Sequence, residues 1–293
     1  MINVFLGAVH FVADLKETNM SKPTYYAPHG GLPAQHEQVG MEAIFTNSYM
    51  LMPKGVMSDI VTSNLPFWDK TRVWVLARPL SGFSETFSHY IMEVQSGGGS
   101  DKPEPDSGAE GVLFVVEGVL TLCLDGQAHK MSAGGYAFIP SASDWQVSND
   151  SGAPVRFHWI RKAYDFVEGI APPKAFVTSD QDVAPNEMPD TNGTWSTTRF
   201  VNPNDVAHDM HVNIVTFKTG GRIPFPETHV MEHGLYVLQG KGVYYLNQDE
   251  FKVEPGDYMW LRAFCPQWCY TDGPEDFRYL LYKDVNRQVK LRV

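Results

Sequence analysis

A cluster of residue types that bind metals occurs in the stretch 227–240, which reads ETHVMEHGLYVLQG. Glu227, His229 and His233 occupy odd-numbered positions, and alternate side chains of a β-strand point to one face. We therefore predict a strand that places one carboxylate and two imidazoles together. Carboxylate oxygens and imidazole nitrogens suit divalent ions such as manganese, iron, nickel and zinc. The alternative is a pair of histidines that make ordinary hydrogen bonds on a half-buried strand.

The composition indicates a globular, acidic protein. Its 293 residues are enough for one large domain or two ordinary ones, and 43% hydrophobic with 19% charged residues is typical of folded chains. The net charge of −11, without runs of lysine or arginine, argues against nucleic acids and anionic membranes as partners. No apolar run reaches the roughly 20 residues that a membrane helix needs.

The cysteines and the N-terminus bear on the cellular location. Cys123, Cys265 and Cys269 form an odd, sparse set without a disulfide framework, which favours a cytoplasmic location. No second pair matches the Cys265–Cys269 spacing, so a zinc ribbon is disfavoured. The start of the chain lacks the basic residues and the cleavage site of a signal peptide. We hypothesise that residues 1–19 are an upstream extension of the reading frame, before Met20.

Short apolar runs between turn residues predict an all-β protein, built as a barrel or a sandwich. The stretch Gly97–Gly108 is rich in Gly, Ser, Pro and Asp, and we predict a loop there. The predicted strands are Thr71–Leu80, Glu85–Val94, Val112–Val116, Val119–Leu124, Tyr136–Ile139, Val155–Ile160 and Val212–Phe217, with further strands up to Tyr282.

The two halves of the chain resemble each other when the second is shifted back by 122 positions, with no gap from about 99 to 161. This indicates two copies of one β unit, although chance similarity between two all-β stretches is the alternative. The superposed pairs are Gly240 on Gly118, Leu246 on Leu124, Gly256 on Gly134, Tyr258 on Tyr136, Gln267 on Trp145, Arg278 on Arg156 and Lys283 on Arg161.

The repeat divides the chain and assigns the chemistry to one copy. We predict an N-terminal arm with short strands (1–75), a first β unit (76–170), a linker (171–204) and a second β unit (205–293). The shift places the ligand-type residues of the second copy on Pro105, Ser107 and Gly111 of the first. Only the second unit is therefore predicted to bind a metal.

The second copy resembles a cupin, a jelly-roll β-barrel with two conserved motifs. The first cupin motif has a glycine, a histidine-rich ligand group with a glutamate, and a second glycine. In the second motif a ligand histidine follows a Gly-Asp pair, and Gln267 stands at its position. Glu227 replaces the first histidine of the motif, His233 replaces its usual glutamate, and Arg262 stands at the proline position of the second motif. The residues at the motif positions are Gly221, Glu227, His229, His233 and Gly240 in the first motif, and Gly256, Asp257, Arg262 and Gln267 in the second.

The ligand set and its flanking text resemble the (S)-ureidoglycine aminohydrolase family, bicupins of purine and allantoin catabolism. The most specific matches are the E-x-H-x-x-x-H pattern, the PQW that contains Gln267, and the final YKDVNR. The resemblance implies two tandem cupin barrels, higher homo-oligomers and one Mn²⁺ per chain. It also implies hydrolysis of (S)-ureidoglycine to (S)-ureidoglycolate and ammonia, with a small ureide as the partner.

The resemblance also assigns roles to individual residues. The implied metal ligands are Glu227, His229, His233 and Gln267; the implied substrate contacts are Glu227, Tyr244, Gln267, Tyr279 and Lys283. Glu227 and Lys283 are the expected catalytic residues, because a carboxylate can transfer a proton and an ammonium can hold the substrate carboxylate. Lys283 as a solvated strand end and the two tyrosines as barrel packing are the alternatives. His211 is interpreted as structural.

Two other classes of function remain open from the sequence. A cupin dioxygenase with iron or copper is disfavoured by Gln267 and Lys283, and oxygen uptake would identify it. A non-catalytic storage or sugar-binding bicupin is disfavoured by the confinement of the ligands to one copy. A metal-free protein with full stability and no turnover would identify that class.

Overall fold

The computed structural model describes residues 22–32, 43–57, 59–80, 82–288 and 291. Residues 1–19, the hypothetical extension, lie outside them. In the described part, all regular structure is strand except two 3-10 turns at Lys54–Val56 and Asp59–Val61. The prediction of an all-β protein is therefore confirmed. No helix in the described ranges is long and apolar enough to cross a membrane.

The strands of the first part of the chain run up to residue 179. They are β1 (Ile44–Phe45), β2 (Tyr49–Met52), β3 (Thr62–Ser63), β4 (Asp69–Ala77), β5 (Ser88–Ser100), β6 (Ala109–Glu117), β7 (Val119–Leu124), β8 (Gln127–Ser132), β9 (Gly135–Ile139), β10 (Trp145–Ser148), β11 (Val155–Ala163) and β12 (Phe176–Ser179).

The strands of the second part begin at residue 186. They are β13 (Asn186–Glu187), β14 (Trp195–Thr198), β15 (Met210–Phe217), β16 (His233–Gln239), β17 (Gly242–Leu246), β18 (Asp249–Val253), β19 (Tyr258–Leu261), β20 (Gln267–Thr271) and β21 (Phe277–Asp284).

These strands form two barrel-like units. In the first, one ten-stranded sheet runs β12-β9-β6-β11-β5-β10-β7-β8, and β3 and β4 extend it at β5. In the second, an eight-stranded sheet of order β1-β2-β19-β16-β21-β15-β14-β13 faces the three-stranded sheet β18-β17-β20. Two isolated bridges, Arg222 with Tyr270 and Glu227 with Gln267, tie the segment before β16 to β20. The second of these bridges therefore links two predicted metal ligands.

The duplication is visible in details of the backbone. In β11 the pairing with β6 shifts between Arg156 and Phe157, and in β21 the pairing with β16 shifts at the equivalent point, next to Arg278. The turns after β6 and β16 contain Gly118 and Gly240, with φ of 80° and 67°. At Gly240 an added Cβ would lie 2.3 Å from the carbonyl oxygen of Asp276, so both the space and the conformation require glycine.

The two units pack face to face through a layer of buried aromatic side chains. Phe87 of the first unit stacks on Tyr282 of the second, with ring centroids 3.9 Å apart. Trp74, Tyr236 and Trp260 belong to the same buried cluster. Each such side chain removes a large apolar area from water, worth roughly 1.5–3 kcal/mol of stability. The units are therefore joined by a core and not only by the chain.

Two segments differ from the sequence expectation. The predicted loop at Gly97–Gly108 begins later, because β5 continues to Ser100 and pairs with β10 there. Gly99 allows this, since an added Cβ would lie 2.1 Å from the carbonyl oxygen of Val147. The segment 171–204 was predicted as a linker, and it contributes β12 to the first unit and β13 and β14 to the second.

The N-terminal arm also takes part in the sheets. Strand β2 pairs with β19 of the second unit, while β3 pairs with β4 of the first. The Tyr26 backbone N–H donates to the carbonyl of Leu238 at 2.9 Å. The arm therefore adds edge strands to both units.

Candidate metal centre and active site

The predicted site residues line one cavity inside the second unit. The cavity has a volume of about 230 Å³ and is partly open to solvent. Three neighbouring strands, β15, β21 and β16, present alternate side chains to it, as the two-residue period of a strand requires. The predicted residues on its wall are Glu227, His229, His233, Tyr244, Gln267, Tyr279 and Lys283.

The prediction that a single strand carries Glu227, His229 and His233 is wrong. Strand β16 begins only at His233, and residues 227–232 are irregular apart from the isolated bridge at Glu227. Pro224 and Pro226 lack backbone N–H groups, which disfavours a regular ladder just before this segment. Glu227 is instead held by two backbone hydrogen bonds of 2.9 Å with Gln267. The ligand-type residues converge through barrel closure and not through strand alternation.

The side-chain contacts arrange the polar groups as a connected set. The His229 Nε2 atom lies 3.1 Å from Glu227 Oε1, and the rings of His229 and His233 have centroids 5.2 Å apart. The Tyr244 hydroxyl donates to Gln267 Oε1 at 3.1 Å and lies 3.4 Å from the Tyr279 hydroxyl. The orientation of the Gln267 amide oxygen is therefore fixed by the Tyr244 hydroxyl.

The donor set fits a divalent ion. A separation of 3.1 Å between Glu227 and His229 is roughly that of adjacent ligands on one ion with bonds near 2.2 Å. The Nδ1 atom of His233 is buried without a hydrogen-bond partner in the described part of the chain. Across the described ranges, no three His, Cys, Asp or Glu side chains already form a compact ligand group. The site therefore fits a divalent ion because of the types of its four donor groups, which include the Gln267 amide, and because all four line one cavity.

Burial sets the protonation states in this cavity. It lowers the pKa of His233 to about 3, and the nearby charges of His229 and Lys283 act in the same direction. A neutral ring at physiological pH is the form that binds metal. Burial also raises the pKa values of Tyr244 and Tyr279 well above the usual range, so both hydroxyls stay neutral and can donate.

Lys283 lies beside the ligand set on β21. In the strand register it stands opposite His233 on one side and His211 on the other. Burial lowers the pKa of Lys283, the positive charge of Arg199 lowers it further, and Glu227 opposes the change. His211 is buried, its Nε2 atom has no partner in the described structure, and burial lowers its pKa to about 4.

The sequence reasoning missed several polar residues on the cavity wall. Asn213 lines it from β15, and its buried Oδ1 atom has no partner among the described residues. Its position two residues after His211 on a predicted strand was a usable signal. Thr197 lies on β14 and Arg199 directly follows that strand. Both line the cavity, and both belong to the segment that was predicted as a linker. No sequence pattern pointed to them.

In the first unit, the positions of the ligand residues hold other residue types, although a pocket lined by Pro105, Ser107 and Trp145 is present there. Trp145 stands where the second unit has Gln267, and it packs against Trp159 with ring centroids 5.8 Å apart. Gly111 stands at the position of His233, and even a Cβ there would lie 3.1 Å from the indole nitrogen of Trp159. Arg161, at the position of Lys283, is bound by Glu104. The first unit therefore lacks the ligand-type side chains that the second unit has at these positions.

Comparisons with known proteins agree with this architecture. The cupin domain family matches residues 90–161 and 213–282, the same two copies that the internal repeat predicts. The prediction of two tandem cupins is therefore confirmed.

Two similar proteins from different organisms bear the same name, and a similar crystal structure bears another. The (S)-ureidoglycine aminohydrolase of Arabidopsis thaliana is 30% identical over 78% of this chain and 73% of its own length. The protein of the same name from Escherichia coli K12 is 29% identical over 84% of this chain and 91% of its own length. A crystal structure of a candidate glyoxylate-induced protein from Pseudomonas aeruginosa is 64% identical, covers 93% of this chain and 100% of that chain, and has a TM-score of 0.87. The chain therefore belongs to the (S)-ureidoglycine aminohydrolase family of bicupin proteins.

Proposed function

We propose that this protein hydrolyses (S)-ureidoglycine to (S)-ureidoglycolate and ammonia, with one Mn²⁺ per chain held by Glu227, His229, His233 and Gln267. The observation that carries the proposal is the convergence of these four residues with Tyr244, Tyr279 and Lys283 on one cavity. The names of the related proteins support the reaction. Two oxygen donors and two imidazoles suit Mn²⁺.

The reaction replaces an amine by a hydroxyl on one carbon atom. The carbon–nitrogen bond to the amine breaks, a carbon–oxygen bond to the oxygen of water forms, and one proton of that water leaves with ammonia. When bound, the ion supplies Lewis-acid polarisation of the substrate. Glu227 lies at the cavity wall, where its carboxylate could accept the proton of water and return it to the departing amine.

The remaining residues bind and orient the substrate. Lys283 provides a positive point charge for the substrate carboxylate. The neutral Tyr279 hydroxyl can donate a hydrogen bond to the ureido oxygen, since burial keeps its pKa high. The Tyr244 hydroxyl donates its proton to Gln267 and can accept a hydrogen bond from a ureido N–H. Leu235 and Leu281 line the same cavity and limit the water around the reacting carbon.

Ammonia release tests this proposal. The purified protein is treated with a chelator, dialysed and assayed on freshly generated ureidoglycine with and without Mn²⁺, next to a sample without enzyme. We expect release above the uncatalysed rate only after Mn²⁺ is returned. Equal ammonia release with and without the Mn²⁺-loaded protein would contradict the proposal. Oxygen consumption in place of ammonia would indicate the dioxygenase alternative.

Tyr244→Phe is expected to weaken Mn²⁺ binding without unfolding the protein. The lost hydroxyl orients the Gln267 amide oxygen, and removal of such an outer contact typically costs about 10- to 100-fold in metal affinity. Competition with a chelating dye measures the affinity. Tyr245→Phe is the matched control, because the Tyr245 ring stacks on Trp268 and does not line the cavity. Equal affinities in the two variants would exclude this role of Tyr244.

The expected homo-oligomer and the expected cytoplasmic location stay predictions. Light scattering of the purified protein measures the mass of the assembly. Fractionation of the source cells determines the location.

A further inference from the structure

Arg199 occupies a distinctive position on the cavity wall. It directly follows β14, whose last residue is Thr198, and it lines the same cavity as Lys283 and the ligand set. Its side chain is half-buried. A guanidinium in such a place is normally bound by a carboxylate or by backbone oxygens, because desolvation of an unpaired charge is costly.

Arg199 has no such partner among the residues that the structure describes. Within the described residues, neither Arg199 nor Lys283 takes part in an ion pair or a side-chain hydrogen bond. Every other arginine that is buried or half-buried in that part of the chain binds an acidic side chain or backbone oxygens. These are Arg72, Arg156, Arg161, Arg278 and Arg287.

The two unpaired cations face one small space. They are close enough for the charge of Arg199 to act on Lys283, and the cavity offers Glu227 as the nearby carboxylate. In the proposed enzyme Glu227 also binds the metal ion, so Arg199 and Lys283 both remain available to bind an anion from solution. Two like charges in a partly desolvated cavity are expected to bind an anion that enters between them.

We infer that Arg199 is a second cationic contact for the substrate carboxylate and selects anionic ureides over neutral ones. The inference rests on the proposed function for the identity of the substrate. The planar fork of Arg199 can hold both carboxylate oxygens, while the ammonium of Lys283 provides a single charge. The substrate carboxylate does not react, so the contact to Arg199 is equally strong before and during the reaction. Uniform contacts of this kind affect KM more than kcat.

Arg199→Gln, Arg199→Lys and a control variant test this inference. Arg199→Gln is expected to raise KM for ureidoglycine about 10- to 100-fold, with kcat and Tm nearly unchanged. Arg199→Lys keeps the charge but loses the fork, so it is expected to show a smaller rise. Arg222→Gln removes an exposed arginine of the same unit that does not line the cavity, and it is expected to behave as wild type.

A binding experiment separates this inference from the proposed reaction. Calorimetry measures how the Mn²⁺-loaded protein binds ureidoglycolate and its neutral carboxamide. Arg199→Gln is expected to weaken the binding of ureidoglycolate about 10- to 100-fold and to leave the binding of the amide unchanged, while Lys283 maintains a smaller preference for the anion. That result would support the role of Arg199 even if the wild type released no ammonia from ureidoglycine, which would overturn the reaction alone. Wild-type KM and wild-type anion binding in Arg199→Gln would overturn the inference while leaving the reaction intact.

Discussion

His233→Ala is expected to lose bound manganese and ammonia release together. His233 is the first residue of β16, its ring is buried, and its pKa near 3 keeps that ring neutral and ready to bind an ion. Alanine removes one of four proposed donors and leaves a gap that water fills poorly. We expect a fall in metal affinity beyond the roughly 100-fold that marks the upper end of outer-contact effects.

Metal content and activity are measured on the same samples. Mass spectrometry of the dialysed protein gives the manganese per chain, and the ammonia assay gives kcat/KM. His229→Ala is a second variant with the same expected loss. The His229 side chain is 28% exposed, so its removal disturbs the core less than removal of the buried His233 side chain does. Loss of manganese in His229→Ala would therefore reflect the loss of a ligand and not damage to the fold.

A histidine outside the cavity provides the control. His129 lies on β8 of the first unit, and His129→Ala is expected to keep both manganese and activity. A His233→Ala protein that retains one manganese per chain would remove His233 from the ligand set. An active protein without manganese would remove the metal from the mechanism.

Lys283→Ala is expected to lose activity severely while its manganese content stays unchanged. A hydrogen bond to a charged group contributes roughly 1.5–3 kcal/mol, or about one to two powers of ten in kcat/KM. The loss is larger if the contact also orients the reacting carbon next to the ion. Lys283→Arg is expected to recover only part, because its charge is spread over a larger planar fork.

Lys252→Ala is the matched control for this prediction. Lys252 is exposed on β18, pairs with Asp272 at 3.2 Å and lies outside the cavity. It is expected to keep the wild-type kcat/KM. Full kcat/KM in Lys283→Ala, with normal manganese, would return Lys283 to the alternative of a strand end without a catalytic role. The assignment of an amino-acid-like substrate would then lose its main support on the cavity wall.

The repeat made most of the fold predictable from the sequence. Turn glycines such as Gly118 and Gly240 are conformational requirements, so they recur wherever the same turn recurs. The shift of 122 positions therefore aligns equivalent strands on residue identities alone. The limits of the loop at Gly97 were less predictable, because glycine is a loop signal in sequence and yet Gly99 permits close strand packing here.

The sequence predicted which residues form the candidate site, but it predicted only part of their arrangement in space. The structure brings Glu227, His229 and His233 to one cavity, but the first two lie before β16 and not on it. The bridge to Gln267 that positions Glu227 spans forty residues, and alternation within one segment contains no information about it. Arg199 was missed for a similar reason, since its place on the wall depends on how β14 pairs with β15.

We propose that one unit of the pair holds a single divalent ion on four side chains. Diffraction from manganese-soaked crystals, collected at wavelengths on both sides of the manganese absorption edge, tests it most directly. We predict one anomalous peak per chain, bounded by Glu227, His229, His233 and Gln267. A peak in the first unit near Ser107 or Trp145, or a second unit without any peak, would contradict it.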